Sequence, residues 1–257
     1  MSSLTSRCSL IPRTGRTTAW RWRSWAGGAL LAVPLWAAAV PGVHVRFDLA
    51  SPATSPFPSD RFTRVDWGQK TFKRVNLPKP DCTVRPSDCA DIDVINQLDG
   101  FNTQPRITIP FSGDIDPASV TSDTVYLVNL GDTQSGAGFG QRVGINQVVW
   151  DGATKTLAVE SDALLAEHSR YVLVVTTGVR DAQGRPIEAG PYGRFRQEFA
   201  RSRDRDEADY GKALSDGSHV SGAPLTRIAA LSLFTTQSTT ADLEKIRSQI
   251  KRSQPAP

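Results

Sequence analysis

Ile107-Thr108-Ile109-Pro110-Phe111 opens the stretch that decides the fold, because its apolar residues recur at every second position. Period two puts alternate side chains on opposite faces of an extended chain and predicts a half-buried strand. Working outward, the alternation returns at Val125, Leu127 and, after a slip, Leu130, then at Val148 and Trp150, Leu157 and Val159, and Tyr171, Leu173 and Val175. The breaks between these runs are Asp116-Pro117, Asn129-Leu130-Gly131-Asp132, Asp151-Gly152 and Asp181-Ala182-Gln183-Gly184. In such turns Asp bonds its own backbone and Gly accepts positive φ. Short antiparallel strands at this spacing, from Pro105 to Ala189, predict a β-sandwich in which Trp150, Asp181 and Gly184 have structural roles.

The runs Phe111-Ser112-Gly113-Asp114-Ile115-Asp116-Pro117-Ala118-Ser119-Val120, Thr124-Val125-Tyr126-Leu127, Leu164 to Tyr171, and Gly178-Val179-Arg180-Asp181-Ala182-Gln183-Gly184 resemble the bacterial Ig-like domain of S-layer and other exported proteins. The resemblance implies an Ig-like antiparallel β-sandwich and a binding or spacer module, not a catalyst. In that fold Tyr171, just beyond Leu164-Leu165, stands where a tyrosine corner sets its hydroxyl on nearby backbone. The flanks are similar to something narrower. Ser55-Pro56-Phe57-Pro58-Ser59-Asp60 and Leu233-Phe234-Thr235-Thr236-Gln237-Ser238 resemble the N-terminal region of secreted bacterial lipases and esterases, where an α/β-hydrolase domain follows.

The chain of 257 residues has room for one large or two small domains, and about 100 residues suffice for an Ig-like sandwich. Its formal charge of +4 is concentrated at the start: Arg7, Arg13, Arg16, Arg21 and Arg23 precede residue 39, with no acid among them, and without them the remainder carries −1. The electrostatic case for nucleic acid therefore falls away. The same Arg-bearing start precedes an apolar run, Ala26 to Trp36, that ends in Ala37-Ala38-Ala39. That is short for a membrane span and has the form of an export signal, so residues 1–39 are expected to be cleaved, leaving a mature start near Val40. An uncleaved leader would be the only membrane attachment. The expected location is secreted, periplasmic or cell-surface.

Cysteine usage fits an oxidising compartment. Cys8 leaves with the leader, and Cys82 and Cys89 remain as a pair in a short loop containing Pro86, for which a disulfide is the default. His44, His168 and His219 show no zinc-ligand spacing, and no cofactor motif is present. Asp88, Asp91, Asp93, Asn96 and Asp99 invite a calcium reading but lack the Gly and terminal Glu of an EF-hand loop. Solvated acids around a short helical turn or strand edge carrying Ile92, Val94, Ile95 and Leu98 are the simpler expectation.

Residues 40–104 read as an extended arm: Pro52, Pro56, Pro58, Pro78 and Pro80 each fix φ and disfavour helix before them. Phe47, Phe57, Phe62, Trp67 and Phe72 would anchor the arm on the sandwich of residues 105–199. Gly131 to Gly144 lacks the order of a phosphate-cradling loop and reads as a long flexible hairpin loop. Phe195 to Asp216 mixes Arg and Asp/Glu as a solvated helix does, with Ala208, Tyr210, Ala213 and Leu214 as a buried stripe. This gives a charged helical insertion, assigned to residues 200–224, in which Gly217 to Pro224 is a polar loop. The last segment, 225–257, opens on a returning strand, Ile228 to Thr235. It closes on a helix with a cap pattern at Thr239 and Asp242, an apolar stripe of Leu243, Ile246 and Ile250, and a polar tail.

A hydrolase would need a Gly-x-Ser-x-Gly elbow with a partner His and acid. Gly217-Ser218-His219-Val220-Ser221-Gly222 has the letters at the wrong spacing. No catalytic residue is assigned, and the chain is read as a non-catalytic exported module whose partner is a C-terminal catalytic domain of a longer hydrolase. The alternative is a stand-alone adhesion or envelope-binding module.

Overall fold

The computed structural model describes residues 42–48, 51–190 and 192–253. The leader, Cys8, the cleavage point at Ala39 and the last residues of the tail lie outside them. In chain order the described elements are β1 (Thr63–Val65), β2 (Lys73–Val75), α1 (Pro86–Ile95), β3 (Ile107–Pro110), β4 (Val125–Asp132), β5 (Arg142–Val143), β6 (Ile145–Asp151), β7 (Thr156–Ser161), β8 (Ser169–Thr176), α2 (Tyr192–Ala200), α3 (Arg205–Val220), β9 (Ile228–Thr235) and α4 (Ala241–Arg252).

The fold is mainly β, an Ig-like antiparallel sandwich. One sheet has the order β3-β7-β6 and the other β5-β4-β8-β9, while β1 and β2 form a separate hairpin. Register is set by apolar partners: Ile107 faces Val159, Val125 faces Val175, and Val174 faces Leu231. Between the sheets Ile109, Phe111, Leu127, Leu157, Leu173 and Val175 are sealed from solvent. Trp150 is half-buried and meets Phe111 edge-on with centroids 6.0 Å apart.

Period two predicted half-buried strands, yet every residue of β9 and all of β8 except Arg170 are buried. Val172 and Val174, assigned to an outer face by alternation, are sealed because α2 and α3 cover the far side of this sheet. A strand buried on both faces reads as a near-continuous apolar run, which is what Tyr171 to Val175 is.

α3 also corrects the polar-loop reading of Gly217 to Pro224, since its helix continues to Val220. Gly217 allows a close approach there: a Cβ on it would lie 3.0 Å from a methyl of Val172. The Asp204 carboxylate caps the start of α3 by accepting the Glu207 N–H, which satisfies one of the orphan donors of the first turn. α2 begins at Tyr192, inside the stretch assigned to the sandwich.

The arm is less extended than its prolines suggested. It contains the β1–β2 hairpin and α1, whose first residue is Pro86, a position where its missing N–H is harmless. Phe47 and Phe62 are buried, and Phe57 packs on Phe62 and Phe101. Trp67 and Phe72 do not anchor anything on the sandwich. They lie exposed at the hairpin tip, against each other at 5.7 Å. The glycine-rich loop between β4 and β5 is not free either, because Gly140 N–H donates to the Asn129 carbonyl and Asp132 N–H to the Ala137 carbonyl.

Candidate functional site

Ser218 and Ser221 are buried, and their hydroxyls donate to the backbone carbonyls of Ser215 and Ser218, while His219 points into solvent at the end of α3. Neighbours in a helix leave in different directions, so nucleophile and base do not meet. A pair that sequence spacing could not show is Ser112 with His44, 68 positions apart, Oγ to Nδ1 3.2 Å. Ser112 Oγ also accepts the His44 N–H at 3.0 Å, and the imidazole's other polar contact is the Gly42 carbonyl at 3.4 Å, so among the described residues no acid orients the ring. The pair fastens residue 44 to the turn after β3, beside the bond from Ser112 N–H to the His44 carbonyl.

His168 was singled out in the sequence only for its lack of zinc-ligand spacing. The structure places it half-buried, with a φ of 37° and Nδ1 against the Asp132 carboxylate. Its Nε2 lies 4.0 Å from Glu167. Burial alone would raise the Asp132 carboxyl, but the N–H groups of Ser135 and Gln134, the Ser135 hydroxyl and His168 outweigh it and bring it to about 2. Glu167 is likewise pushed up by burial and pulled further down by its partners, the hydroxyl and N–H of Thr240 and the hydroxyl of Thr239. Those bonds, 2.6 to 3.0 Å long, hold the start of α4 to the sandwich. Thr240 is the N-cap residue, but its own side chain makes no capping bond, so the predicted cap at Thr239 and Asp242 is replaced by an acid from across the fold.

The two flanking motifs meet in space. Asp60 is buried, and its carboxylate accepts the Thr235 N–H and the Thr235 hydroxyl, each at 2.8 Å. Beside it Ser59 Oγ is 3.1 Å from the hydroxyl of Tyr210 on α3, which also accepts the Leu233 N–H at 3.3 Å. Desolvation raises the Tyr210 phenol, so it acts as a neutral link. Phe101 N–H donates to the Thr235 carbonyl and Gln237 N–H to the Phe101 carbonyl. Arm, α3 and β9 are thereby tied at one point.

The acids of the calcium reading are dispersed onto separate partners. Asp88 faces Arg85 at 3.6 Å, Asp93 faces Lys79 at 2.7 Å, Asn96 bonds the Leu77 backbone twice and Asp99 accepts the Ser238 N–H. Among the described residues no group of three or more His, Cys, Asp or Glu is placed to hold a metal ion. Their apolar neighbours Val94, Ile95 and Leu98 are exposed on and just after α1.

The structural residues hold turns and corners. The Tyr171 hydroxyl accepts the Ala166 N–H at 3.0 Å and the Asn129 amide at 3.3 Å. Asp181 accepts the N–H groups of Gln183 and Arg185 and pairs with the Arg185 guanidinium at 2.7 Å. Gly184 closes that turn at a φ of 77°, where a Cβ would be strained. Cys82 and Cys89 are bonded, with Cα atoms 5.7 Å apart, pinning α1 to the turn before it.

Two antiparallel sheets, a tyrosine fixed on upstream backbone and Asp-Gly turns define an Ig-like sandwich module. Residues 89–199 match the family model described as a bacterial Ig-like domain, a non-catalytic type of domain. The match starts within α1 and ends within α2, short of β9. Among solved structures the chain is similar to surface layer protein SbsC, domains 1-6 (11% identity, TM-score 0.27, 44% of this chain and 16% of that one). It is also similar to the N-terminal part of the bacterial S-layer protein SbsC (13%, TM-score 0.25, 43% and 27%). The chain thus spans under a third of these proteins. No curated protein matches. No helix among the described residues is long and apolar enough to cross a membrane.

Proposed function

We propose that this chain is an exported, non-catalytic Ig-like module that serves as the accessory N-terminal region of a lipase-like hydrolase, docking that enzyme's catalytic domain through α4. The observation that carries this reading is α4 itself. It is fastened at its first turn by Glu167 and by the Lys70–Glu244 pair, while every residue from 242 to 253 is exposed. Leu243, Ile246 and Ile250 recur at helical spacing and are 50 to 67% exposed. A helix with an apolar stripe gains most of its stability by burying that stripe. A catalytic domain following on the same polypeptide supplies such a cover. The junction of Asp60 with Thr235 gives the two lipase-like flanks one shared purpose, closing the module ahead of α4.

The reading frame beyond Pro257 tests this. An α/β-hydrolase coding region with a Gly-x-Ser-x-Gly elbow is expected, and an unrelated domain or an immediate stop codon overturns the hydrolase reading in favour of a stand-alone envelope-binding module. Purified residues 40–257 should neither hydrolyse a short-chain ester nor react with a fluorophosphonate probe. Labelling of Ser218, Ser221 or Ser112 that vanishes in the matching His219→Ala or His44→Ala variant would make the chain an enzyme. Edman sequencing of exported material should begin at Val40.

A further inference from the structure

A cleft of about 470 Å³ opens at the end of the four-stranded sheet where β4 begins and β8 stops. That size falls in the roughly 300–1,000 Å³ range of small-molecule sites. Three separate segments each bring an arginine to it: Arg142 from β5, Arg180 from the turn after β8 and Arg227 from the turn before β9. Gathering cations around one depression is electrostatically unfavourable unless something answers their charge.

The chain itself answers little of it. The single acid in the lining is Asp123, 3.4 Å from Arg142 and 96% exposed at its side chain, and an ion pair in that setting contributes little. Arg180 and Arg227 form no ion pair among the described residues. Elsewhere guanidinium groups do find carboxylates at short range, as in Arg74–Asp66 and Arg185–Asp181, both 2.7 Å. Without the leader the chain's formal charge is −1, so the lining, with three arginines and one acid, is a local excess of positive charge and no consequence of a basic protein.

Two of the arginines are held in place by neutral groups, which position a cation without neutralising it. The Arg142 guanidinium lies 3.8 Å over the Tyr126 ring and donates to the Ser122 carbonyl. Arg180 Nη1 donates to the Gly184 carbonyl at 2.9 Å, and its backbone N–H to Ser119 Oγ at 2.9 Å. The Arg227 turn is tied to the end of β8 by the bond from Thr177 N–H to the Arg227 carbonyl, 2.8 Å. A preorganised guanidinium loses less freedom on binding, and its planar fork matches an oxyanion bidentately.

We propose that this cleft binds the oxyanion group of a small molecule, a phosphate monoester or a sugar carboxylate, through Arg142, Arg180 and Arg227. Calorimetric titration of the whole chain with glucose 6-phosphate, glucuronate and neutral glucose tests it. At least one of the two anions should saturate at one site per chain, and which one does identifies the source of the group; glucose should not bind. Arg180→Ala combined with Arg227→Ala removes exposed side chains, so the melting temperature should hold. Affinity should fall about tenfold or more, as expected for two lost charge-assisted hydrogen bonds. Failure of both anions to saturate, equal binding of glucose, or an equal loss of affinity in a control Arg201→Ala, Arg203→Ala chain overturns the proposal.

Discussion

Asp60 gives both carboxylate oxygens to Thr235, a residue 175 positions away. Removing a buried acceptor leaves its donors unpaired, and a hydrogen bond to a charged group is worth more than a neutral one. Asp60→Ala should therefore cost about 3 kcal/mol, with Asp60→Asn recovering part of it, both read from urea midpoints. Asp132 predicts a pH effect. Its carboxyl sits at about 2 in the folded protein, against about 3.9 in an unfolded chain. A depressed pKa favours the ionised fold, so this contribution is complete above about pH 4 and is lost as pH falls towards 2. Asp132→Asn should lower stability at neutral pH and flatten the acid limb between pH 4 and 2 in thermal melts. The Asp132 turn was legible in sequence while its His168 partner was not, and the Asp60 latch could not be read at all, because a buried Asp in a Pro-Ser-Asp run looks the same as a solvated one until its distant partner is placed.

Among the elements, β3, β7 and β9 were legible, since apolar periodicity or a mostly apolar run is a local property of the chain. α3 was legible at its start and not at its end: Gly217-Ser218 carries turn chemistry, and only the approach of Val172 explains a glycine inside a helix. That contact makes a prediction with opposed terms. Gly217→Ala gains roughly 1 kcal/mol of helix propensity and loses a comparable amount to the 3.0 Å contact, leaving stability nearly unchanged. Gly217→Leu cannot fit there and should cost about 2 to 3 kcal/mol through overpacking. Chemical denaturation of both variants distinguishes a packing glycine from a loop glycine, which would tolerate either change. The disulfide closes a short loop around the start of α1, so Cys82→Ser should cost about 2 to 3 kcal/mol at most by chain entropy. It should lower the melting temperature without unfolding the sandwich, as near-ultraviolet circular dichroism would show.

Taken whole, the molecule buries its apolar residues in one continuous core that includes the arm and both insertion helices, and leaves the α4 stripe outside it. Substituting Leu243, Ile246 and Ile250 together by Gln should leave the stability of this chain within about 0.5 kcal/mol of wild type, as for exposed sites generally. A large drop in the thermal midpoint would show that the helix folds back onto the sandwich. The Asp60–Thr235 junction has a mechanical consequence. A pull applied through the segments on either side first peels His44 and Arg46 from Ser112 and Pro110, then Phe57 from Thr108. It next meets the paired bonds at Asp60, which link the arm to β9 directly. Once those contacts with β3 have gone, tension between the arm and β9 passes directly through the Asp60–Thr235 bonds, and until that latch gives way the chain between residues 60 and 235 is shielded from being drawn out.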